Sequence, residues 1–367
     1  MGRGALIDSG FAGFTTIKPI NLRKLLDFDI LFDLTVIFRN FWQTPFKFAD
    51  CKQIERMELI KGLVLRSTGS WYEVRDSRDG HVWQCRLKGK FKAMGLKVTN
   101  PIAVGDYVNF EEENETENFG IIHEILPREN YVIRQSVHKT AHAHLIAANV
   151  DQAILIATLV FPRTSLGFID RFLVAIESFR IPGVLVFNKQ DLLNDAMKDF
   201  QSELMELYTS LGYTCLATTA LTEGGADAVK DLLKGKVSLL SGHSGVGKST
   251  LVNAIAPDLA IKTQEVSTFA NKGVHTTTFA EMFELEPGMF IIDSPGIKEL
   301  GLADMKPEEI SHYFPEMREL LNQCRFNNCQ HINEPGCAVK DGVQNGEIAF
   351  SRYESYLSMV GGGDNRK

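Results

Sequence analysis

Nine residues about two thirds of the way along the chain have the spacing of a phosphate-binding loop. GHSGVGKST fits the pattern G-x-x-x-x-G-K-[ST] and lies between KVSLL, a predicted buried strand, and STLVNAIA, a predicted helix start. Backbone N–H groups of such a loop surround phosphate oxygens, and glycine is needed because a Cβ would block the close approach. Lys248 is expected to reach the β- and γ-phosphates, and the Ser249 hydroxyl to bind Mg²⁺. The predicted phosphate-binding residues are Gly242, His243, Ser244, Gly245, Val246, Gly247, Lys248, Ser249 and Thr250.

Two shorter motifs downstream have residue types that hold magnesium and sense a third phosphate. DSPG follows the apolar stretch GMFII, so Asp293 is expected to hold Mg²⁺ through water and the Gly296 N–H to contact the γ-phosphate. HTTT lies between this motif and the phosphate loop. Thr277, with Thr276 as second choice, is expected to complete the magnesium shell when the nucleotide binds.

The motif NKQD has the residue types that read a guanine base. Asp191 can accept hydrogen bonds from N1–H and the 2-amino group of guanine, a pair of donors that adenine lacks. Lys189 is expected to pack over the base, and Asn188 to tie this segment to the phosphate loop. The stretch ATTA, with Thr219 and Ala220, follows a further strand and is expected to present a backbone N–H to guanine O6. The motifs together predict binding of GTP and GDP.

The order of these motifs along the chain is unusual. The base-reading motifs, near residues 188 and 219, precede the phosphate loop, whereas most GTPases carry them last. This order predicts a circularly permuted sheet, because contacts in space do not depend on where the chain begins. DSPG then leads straight into the C-terminal segment, so movement of this switch would pull on that segment.

Hydrolysis needs a group that orients the attacking water. The residue after DSPG is Ile297, which cannot do this, so we expect slow intrinsic hydrolysis with the water oriented by another group or a partner. His275 is the first polar candidate for a catalytic role and His243 the second. A structural role is an equally good expectation for both.

A cysteine cluster near the C-terminus predicts a metal site. Three thiolates and one imidazole within fourteen residues suit tetrahedral Zn²⁺ with no open position, which is a structural site. The segment has few apolar residues, and zinc binding typically contributes about 10–16 kcal/mol in such small sites. The alternative is a set of free thiols near a surface histidine. The predicted ligands are Cys324, Cys329, His331 and Cys337.

Length and composition limit the number of domains and the class of protein in which these residues lie. The chain has 367 residues, enough for two or three domains, and its net charge of -7 gives no general sign of nucleic-acid binding. No run of about 18 uncharged apolar residues occurs, so we expect no membrane span. Residues 1–56 are rich in Phe with weak periodicity, and Met57 then opens a strand. Two interpretations stay open: an in-frame stretch upstream of a natural start at Met57, or a loosely packed extension.

Residues 59–133 predict a small closed barrel of the OB type, with strands at GLVLRS, WYEVRD, HVWQCRL, DYVNFEE and FGIIHEIL. Residues 61–97 carry nine basic and three acidic side chains, interleaved with Trp71, Tyr72, Trp83 and Phe91. Such a surface can bind an RNA backbone and its bases, or be a solvated surface over core aromatics. The five glutamates of residues 111–117 predict a solvated loop.

From about residue 149 the sequence pattern changes to apolar strand-like runs that alternate with predicted helices. This pattern favours a parallel sheet with helices on both faces. The predicted fold is therefore multidomain. It comprises an uncertain extension (1–56), an OB-type RNA-binding barrel (57–138), a circularly permuted α/β P-loop GTPase domain (139–300) and a mainly helical zinc-binding domain (301–367).

The barrel, the permuted motif order and the C-x4-C-x-H-x5-C segment together resemble the RsgA (YjeQ/YloQ) family of bacterial small-subunit-dependent GTPases. The resemblance covers roughly residues 58–360; residues 1–56 and the loose ATTA motif depart from it. It implies a cytoplasmic, monomeric enzyme that hydrolyses GTP to GDP and phosphate and assists late maturation of the small ribosomal subunit. It also implies contacts of the barrel and zinc domain with rRNA, and hydrolysis that the ribosome stimulates.

Two other classes of function remain open at this point. A GTP-dependent switch with a non-ribosomal partner would keep the nucleotide motifs but would not need a basic barrel. A nucleic-acid-binding module with a degenerate nucleotide site would bind RNA without hydrolysis, and the intact Lys248, Ser249, Asp293 and Asp191 argue against it. Salt-sensitive RNA binding by residues 57–138 would separate these classes.

Overall fold

The structure is a computed structural model that describes residues 59–89, 100–114, 118–135, 143–257, 280–293 and 305–362. The chain divides into two units, Met1–Arg56 and Met57–Lys367, and all described residues belong to the second. Within the described ranges, no helix combines the length and apolar character that crossing a bilayer requires.

The first domain is a closed five-stranded barrel, as the sequence predicts. Its strands are β1 (Ile60–Ser67), β2 (Tyr72–Asp76), β3 (Val82–Leu87), β4 (Tyr107–Asn114) and β5 (Phe119–Ile125). Strand β1 pairs with both β2 and β4, and β3 pairs in parallel with β5, which closes the barrel in the order β1-β2-β3-β5-β4. Alternating residues of the strands fill its interior, among them Val64, Val74, Phe110 and Ile122.

Two predictions about the barrel surface need correction. Glu111, Glu112 and Glu113 lie in strand β4, not in a solvated loop. Tyr72 and Trp83 belong to the buried core, so the aromatic residues do not form one exposed face. Of the other members of the predicted patch, Lys90, Phe91, Lys92 and Lys97 lie outside the described residues.

A hairpin of β6 (Tyr131–Gln135) and β7 (Ala143–Ala148) follows the barrel and spans residue 138, where the sequence predicts a domain boundary. The GTPase-like sheet comes next. Its strands are β8 (Gln152–Ala157), β9 (Gly183–Phe187), β10 (Thr214–Ala217), β11 (Val237–Ser241), β12 (Glu281–Glu286) and β13 (Met289–Asp293).

The sheet has the order β10-β9-β8-β11-β13-β12, with every neighbouring pair parallel except β12 and β13. Helices α1 (Leu166–Ser178) and α2 (Asp195–Ser210) contribute to the core on one face. Helices α3 (Asp227–Leu233) and α4 (Lys248–Ile255) contribute to the core on the other. The predicted layering is confirmed, whereas β6, β7, β12 and α3 were not predicted.

The antiparallel strand β12 also joins the sheet to the barrel. Arg66 of β1 pairs in register with Glu281 of β12. Arg75 of β2 forms an ion pair with Glu284 and lies over the ring of Phe290. The two β-structures therefore form one hydrogen-bonded sheet system.

The C-terminal segment is helical and short-looped, as expected. Its helices are α5 (Pro307–Ile310), α6 (Pro315–Arg318), α7 (Ala338–Gln344) and α8 (Phe350–Val360). Phe314, Met317 and Tyr356 are central to its core, and Val174 of helix α1 completes that core from the GTPase domain. Single-turn 3₁₀ segments occupy Gln190–Leu192, Ser311–Tyr313 and Leu321–Gln323.

Candidate nucleotide site and metal centre

The phosphate-loop residues connect the end of β11 to the first turn of α4, the context that the sequence predicts. Gly242, Gly245 and Gly247 have φ angles of 142°, 86° and 99°, a region that side-chain-bearing residues rarely adopt. A Cβ at Gly247 would also collide with the side-chain amide of Asn188. The backbone of this loop therefore requires glycine at these positions.

Lys248 is held within the loop. Its Nζ donates to the carbonyl oxygens of Gly242, at 2.7 Å, and His243, at 2.9 Å. Ser249 and Thr250 follow on the exposed side of the first turn of α4, and Ser244 is exposed in the loop itself. The lysine amine and the Ser249 hydroxyl thus belong to the same turn, as phosphate and magnesium binding would require.

Asn188 connects the three nucleotide motifs. Its Nδ2 donates to the carbonyl of Val246 in the phosphate loop at 2.8 Å, and its Oδ1 accepts from the Ala220 N–H at 3.3 Å. The side chain is 3% exposed. The predicted tie between the NKQD segment and the phosphate loop is present. The Ala220 N–H, which the sequence assigns to guanine O6, has the Asn188 side chain as its partner here.

Lys189 has a left-handed backbone with φ of 63°. Its Nζ donates to the carbonyls of Phe161 and Gly245, both at 2.7 Å. The side chain therefore runs from the base-reading segment to the phosphate loop. Asp191 is exposed in the 3₁₀ turn after β9, and Thr219 is half-buried after β10, so both lie at the same edge of the sheet.

His243 packs against helix α1. Its ring lies 4.0 Å from the ring of Phe168, centroid to centroid, with a tilt of 34°. Phe168 is buried in the first turn of α1, whose start is capped by the Ser165 side chain. This contact supports the structural alternative for His243 that the sequence left open.

Asp293 is the last residue of β13 and pairs in register with Leu240 of the neighbouring β11. Asp293 thus lies at the end of the strand next to the one that leads into the phosphate loop. Gly296, Thr276, Thr277, His275 and Ile297 lie outside the described residues.

The four predicted zinc ligands come together. Their ligand atoms lie within 4.8 Å of one another, and His331 and Cys337 are buried. The Nδ1 atom of His331 is 3.3 Å from Sγ of Cys337 and 3.6 Å from Sγ of Cys324. Burial lowers the pKa of His331, which favours the neutral imidazole that binds metals. Three sulfurs and one nitrogen at these separations fit one tetrahedral Zn²⁺.

Groups that the sequence analysis missed organise the loop around these ligands. The Glu334 carboxylate accepts from the N–H groups of Gln330 and Ile332, both at 2.9 Å. Partial burial opposes its charge, but these backbone donors lower the pKa of Glu334 to about 2. Tyr353 and Tyr356 of α8 donate to the carbonyls of His331 and Gln330, each at 2.6 Å. The spacing of these two tyrosines on one helix face was the available sequence signal.

Sequence comparison finds relatives over most of the chain. The family described as RsgA GTPase matches residues 125–303, and the one described as RsgA N-terminal domain matches residues 61–122. A protein of Cytophaga hutchinsonii named small ribosomal subunit biogenesis GTPase RsgA is 53% identical over 301 residues, 82% of this chain and 98% of the relative. A protein of Phocaeicola vulgatus with the same name is 50% identical over 82% of this chain and 96% of its own length.

Solved structures give the same result. YjeQ from Thermotoga maritima has a TM-score of 0.66 and 38% identity, covering 83% of this chain and 98% of its own. YloQ, described as a circularly permuted GTPase, has a TM-score of 0.65 and 28% identity, covering 86% and 99%. This chain therefore shares its fold with a solved protein that is described as a circularly permuted GTPase.

Proposed function

This chain belongs to the RsgA GTPase family, and from that premise we propose that it binds the small ribosomal subunit and assists its late maturation, hydrolysing GTP to GDP and phosphate. The observation that carries the proposal is the convergence of the guanine-reading and phosphate-binding segments through the two hydrogen bonds of Asn188. A regulatory GTPase needs both halves of this site in register.

Guanine selectivity is proposed to come from Asp191. Its exposed carboxylate lies at the edge of the sheet beside Lys189, whose position is fixed by two carbonyls. A guanine offers two N–H donors to this carboxylate, whereas adenine would leave it desolvated without donors. Sites of this kind reject the wrong partner by large factors because the penalty falls on an unpaired polar group.

The phosphate groups are proposed to bind along residues 242–250. Lys248 now donates to two loop carbonyls, and we expect its amine to turn toward the β- and γ-phosphates when they are present. Mg²⁺, for which Ser249 and Thr277 are the proposed direct ligands and Asp293 a ligand through water, would neutralise charge on the phosphates. Gly296 is proposed to contact the γ-phosphate.

Hydrolysis is proposed to be slow until a partner binds. Ile297 has no polar group to orient water, and His275 is the proposed catalytic candidate on the segment that precedes Thr277. The stacking of His243 on Phe168 leaves His275 as the better choice. We propose that the active protein is a cytoplasmic monomer with one zinc ion per chain.

The barrel surface is less positive than a count of its residues implies. Arg66 pairs with Glu73 at 3.7 Å, and Arg78 and Arg86 pair with Glu112 and Glu113 at 2.7 Å. These ion pairs reduce the field that would attract an RNA backbone. They favour, as a second candidate, a GTP-dependent regulatory switch whose partner is not the ribosome.

Exposed aromatic residues support RNA contact in the main proposal. Trp71 is 42% exposed with its ring 5.6 Å from that of Phe119, a pair on which a base can stack. On the zinc-binding segment, the guanidinium of Arg325 lies 5.5 Å from the ring of the exposed Phe326. Both surfaces are proposed to contact rRNA.

The test is GTP turnover by the full chain, alone and with purified small ribosomal subunits, with ATP as the nucleotide control. Slow turnover alone and a large increase with small subunits, for GTP only, would support the proposal. Trp71→Ala should reduce the stimulation, whereas Trp83→Phe in the barrel core is the matched aromatic control. Tight GTP binding without stimulation would instead favour the switch with another partner.

A further inference from the structure

Helix α1 and the loop before it lie directly against the phosphate loop. The ring of Phe168 stacks on His243 at 4.0 Å. Lys189 bridges the carbonyls of Phe161 and Gly245, one from each loop. The start of α1 therefore touches the nucleotide site through a ring stack and a shared lysine.

The same helix contacts the C-terminal module, residues 305–362 with helices α5 to α8, through a buried ionic network. Asp170 Oδ1 accepts from Arg352 Nη1 at 2.7 Å and from the Tyr208 hydroxyl at 2.8 Å. Arg352 also donates through Nε to Glu316 at 2.7 Å, and its side chain is fully buried. Burial, followed by the nearby Asp170 carboxylate, raises the pKa of Tyr208, so its hydroxyl keeps the proton that it donates.

Further contacts along α1 strengthen this attachment. Val174, one turn beyond Asp170, is buried in the hydrophobic core of the C-terminal module. Glu177, at the end of the helix, pairs with Arg318 of α6 at 3.2 Å. Helix α1 thus contacts the phosphate loop through its first turn, and it contacts the C-terminal module through its later turns.

Nucleotide binding is expected to change the hydrogen bonds of the phosphate loop next to helix α1. In the present structure Lys248 donates to the carbonyl of His243, the residue whose ring stacks on Phe168. When the lysine amine turns to phosphate oxygens, the His243 carbonyl loses this partner. Energetic coupling between two sites requires an element whose position both sites can bias, and α1 contacts both the phosphate loop and the C-terminal helices.

We propose that Phe168 is a positioning residue for the phosphate loop and that Arg352 fixes the helix that carries it, so that nucleotide binding and the C-terminal module are coupled through α1. The proposal rests on nucleotide binding at residues 242–250, as in the proposed function. It does not depend on a ribosomal partner.

The test is hydrogen exchange of the zinc-loaded full chain, without nucleotide, with saturating GDP and with a saturating non-hydrolysable GTP analogue. The readout is the rate at α8, far along the chain from the phosphate loop. Nucleotide should slow exchange at α8 about fivefold, the lower end of typical coupling factors. Phe168→Leu should abolish most of this difference. Phe172→Leu, also buried on α1, should retain it.

A second variant tests the reciprocal effect without altering the phosphate loop or the ring stack. Tyr208→Phe removes one donor to Asp170, and GDP affinity should fall about fivefold because coupling between two binding events is mutual. Tyr72→Phe is the control, since Tyr72 is buried in the barrel core and its hydroxyl donates to Asn100, away from Asp170.

Three results would overturn the inference. One is exchange at α8 that is unchanged by bound nucleotide in the wild-type protein. Another is a nucleotide effect that persists in full in Phe168→Leu, which would place the coupling outside the contact between Phe168 and His243. If Phe168→Leu does not fold, an unchanged GDP affinity in Tyr208→Phe would overturn it. A lack of stimulation by small subunits would defeat the proposed function alone, since these measurements contain no ribosomes.

Discussion

The side-chain amide of Asn188 donates a 2.8 Å hydrogen bond to the carbonyl of Val246, across 58 positions of sequence. The first residue belongs to the guanine-reading segment and the second to the phosphate loop. In the permuted chain the base-reading residue comes first. The two meet in space because β9, which precedes Asn188, and β11, which precedes the phosphate loop, flank β8 in parallel.

Asn188→Ala should weaken the binding of both GTP and GDP by about tenfold or more. The change leaves the buried Val246 carbonyl without its partner, a loss of about 1–3 kcal/mol. Isothermal titration with GDP measures the effect. Asn194→Ala is the matched control, because the Asn194 side chain caps α2 by accepting from the Met197 N–H. Affinities within twofold of the wild type for both variants would contradict the prediction.

Asp191→Asn should exchange the base preference of the protein. The amide that replaces the carboxylate can donate to the 2-oxo group of xanthine, which the carboxylate would repel. We expect GTP affinity to fall by at least about a hundredfold and xanthosine triphosphate to bind better than GTP. Competition against a fluorescent nucleotide gives both constants, and Asp195→Asn on α2 serves as control. A parallel loss for both nucleotides would argue against base reading by Asp191.

Zinc should be present at one ion per chain and should be needed for the fold of the C-terminal module. Cys337→Ser removes a buried ligand and should reduce zinc content to near zero, because the remaining three ligands leave an open site. Elemental analysis of the purified protein measures this. Cys215→Ser should keep full zinc content, since Cys215 lies in β10, away from the cluster. Full occupancy in Cys337→Ser would disprove the ligand set.

The barrel should lose part of its stability in acid through Asp76. Burial opposes the charge of this carboxylate, but hydrogen bonds from Arg78 outweigh it and lower the pKa of Asp76 below 3.8. The stabilisation is therefore complete above the unfolded-state value and is lost as the pH falls through the lower folded-state value. Asp76→Asn should cost about 1.5–3 kcal/mol at pH 7, and less at pH 2.5.

Urea unfolding followed by tryptophan fluorescence measures this difference. Trp71 and Trp83 report on the barrel, and Trp42→Phe in both proteins removes the remaining tryptophan. A penalty for Asp76→Asn that is the same at both pH values would contradict the assignment.

Much of the site could be predicted because its residues follow buried strands. Asn188 and Asp293 stand at the carboxyl ends of apolar stretches, and neighbouring parallel strands bring such ends to one edge. The barrel strands were also predictable from their alternation. The prediction for Glu111 to Glu113 failed because a run of acidic residues suggests a loop, whereas side chains on other strands form hydrogen bonds or ion pairs with them. His123 pairs with Glu111, and Arg86 with Glu113.

The network at Arg352 was beyond sequence analysis. In the stretch FSRYESYLSMV an arginine reads as a solvent-exposed helix residue. Its partner Asp170 lies 182 positions away, on a helix that the sequence assigns to another domain. Only the packing of α8 against α1 brings these charges together, and nothing in the local pattern of either helix indicates it.

Strand β11 lies between β8 and β13 in the sheet but follows β10 in the chain, and this has a consequence for the nascent chain. Strands β8, β9 and β10 leave the ribosome first and can pair at once, but the other edge of β8 has no partner until residue 237 has been made. At typical synthesis speeds the delay is on the order of ten seconds. During that time an apolar strand, whose six residues are all buried in the finished protein, presents an open edge. Permutation thus places an interval of aggregation risk in the middle of synthesis, between the two halves of the nucleotide site.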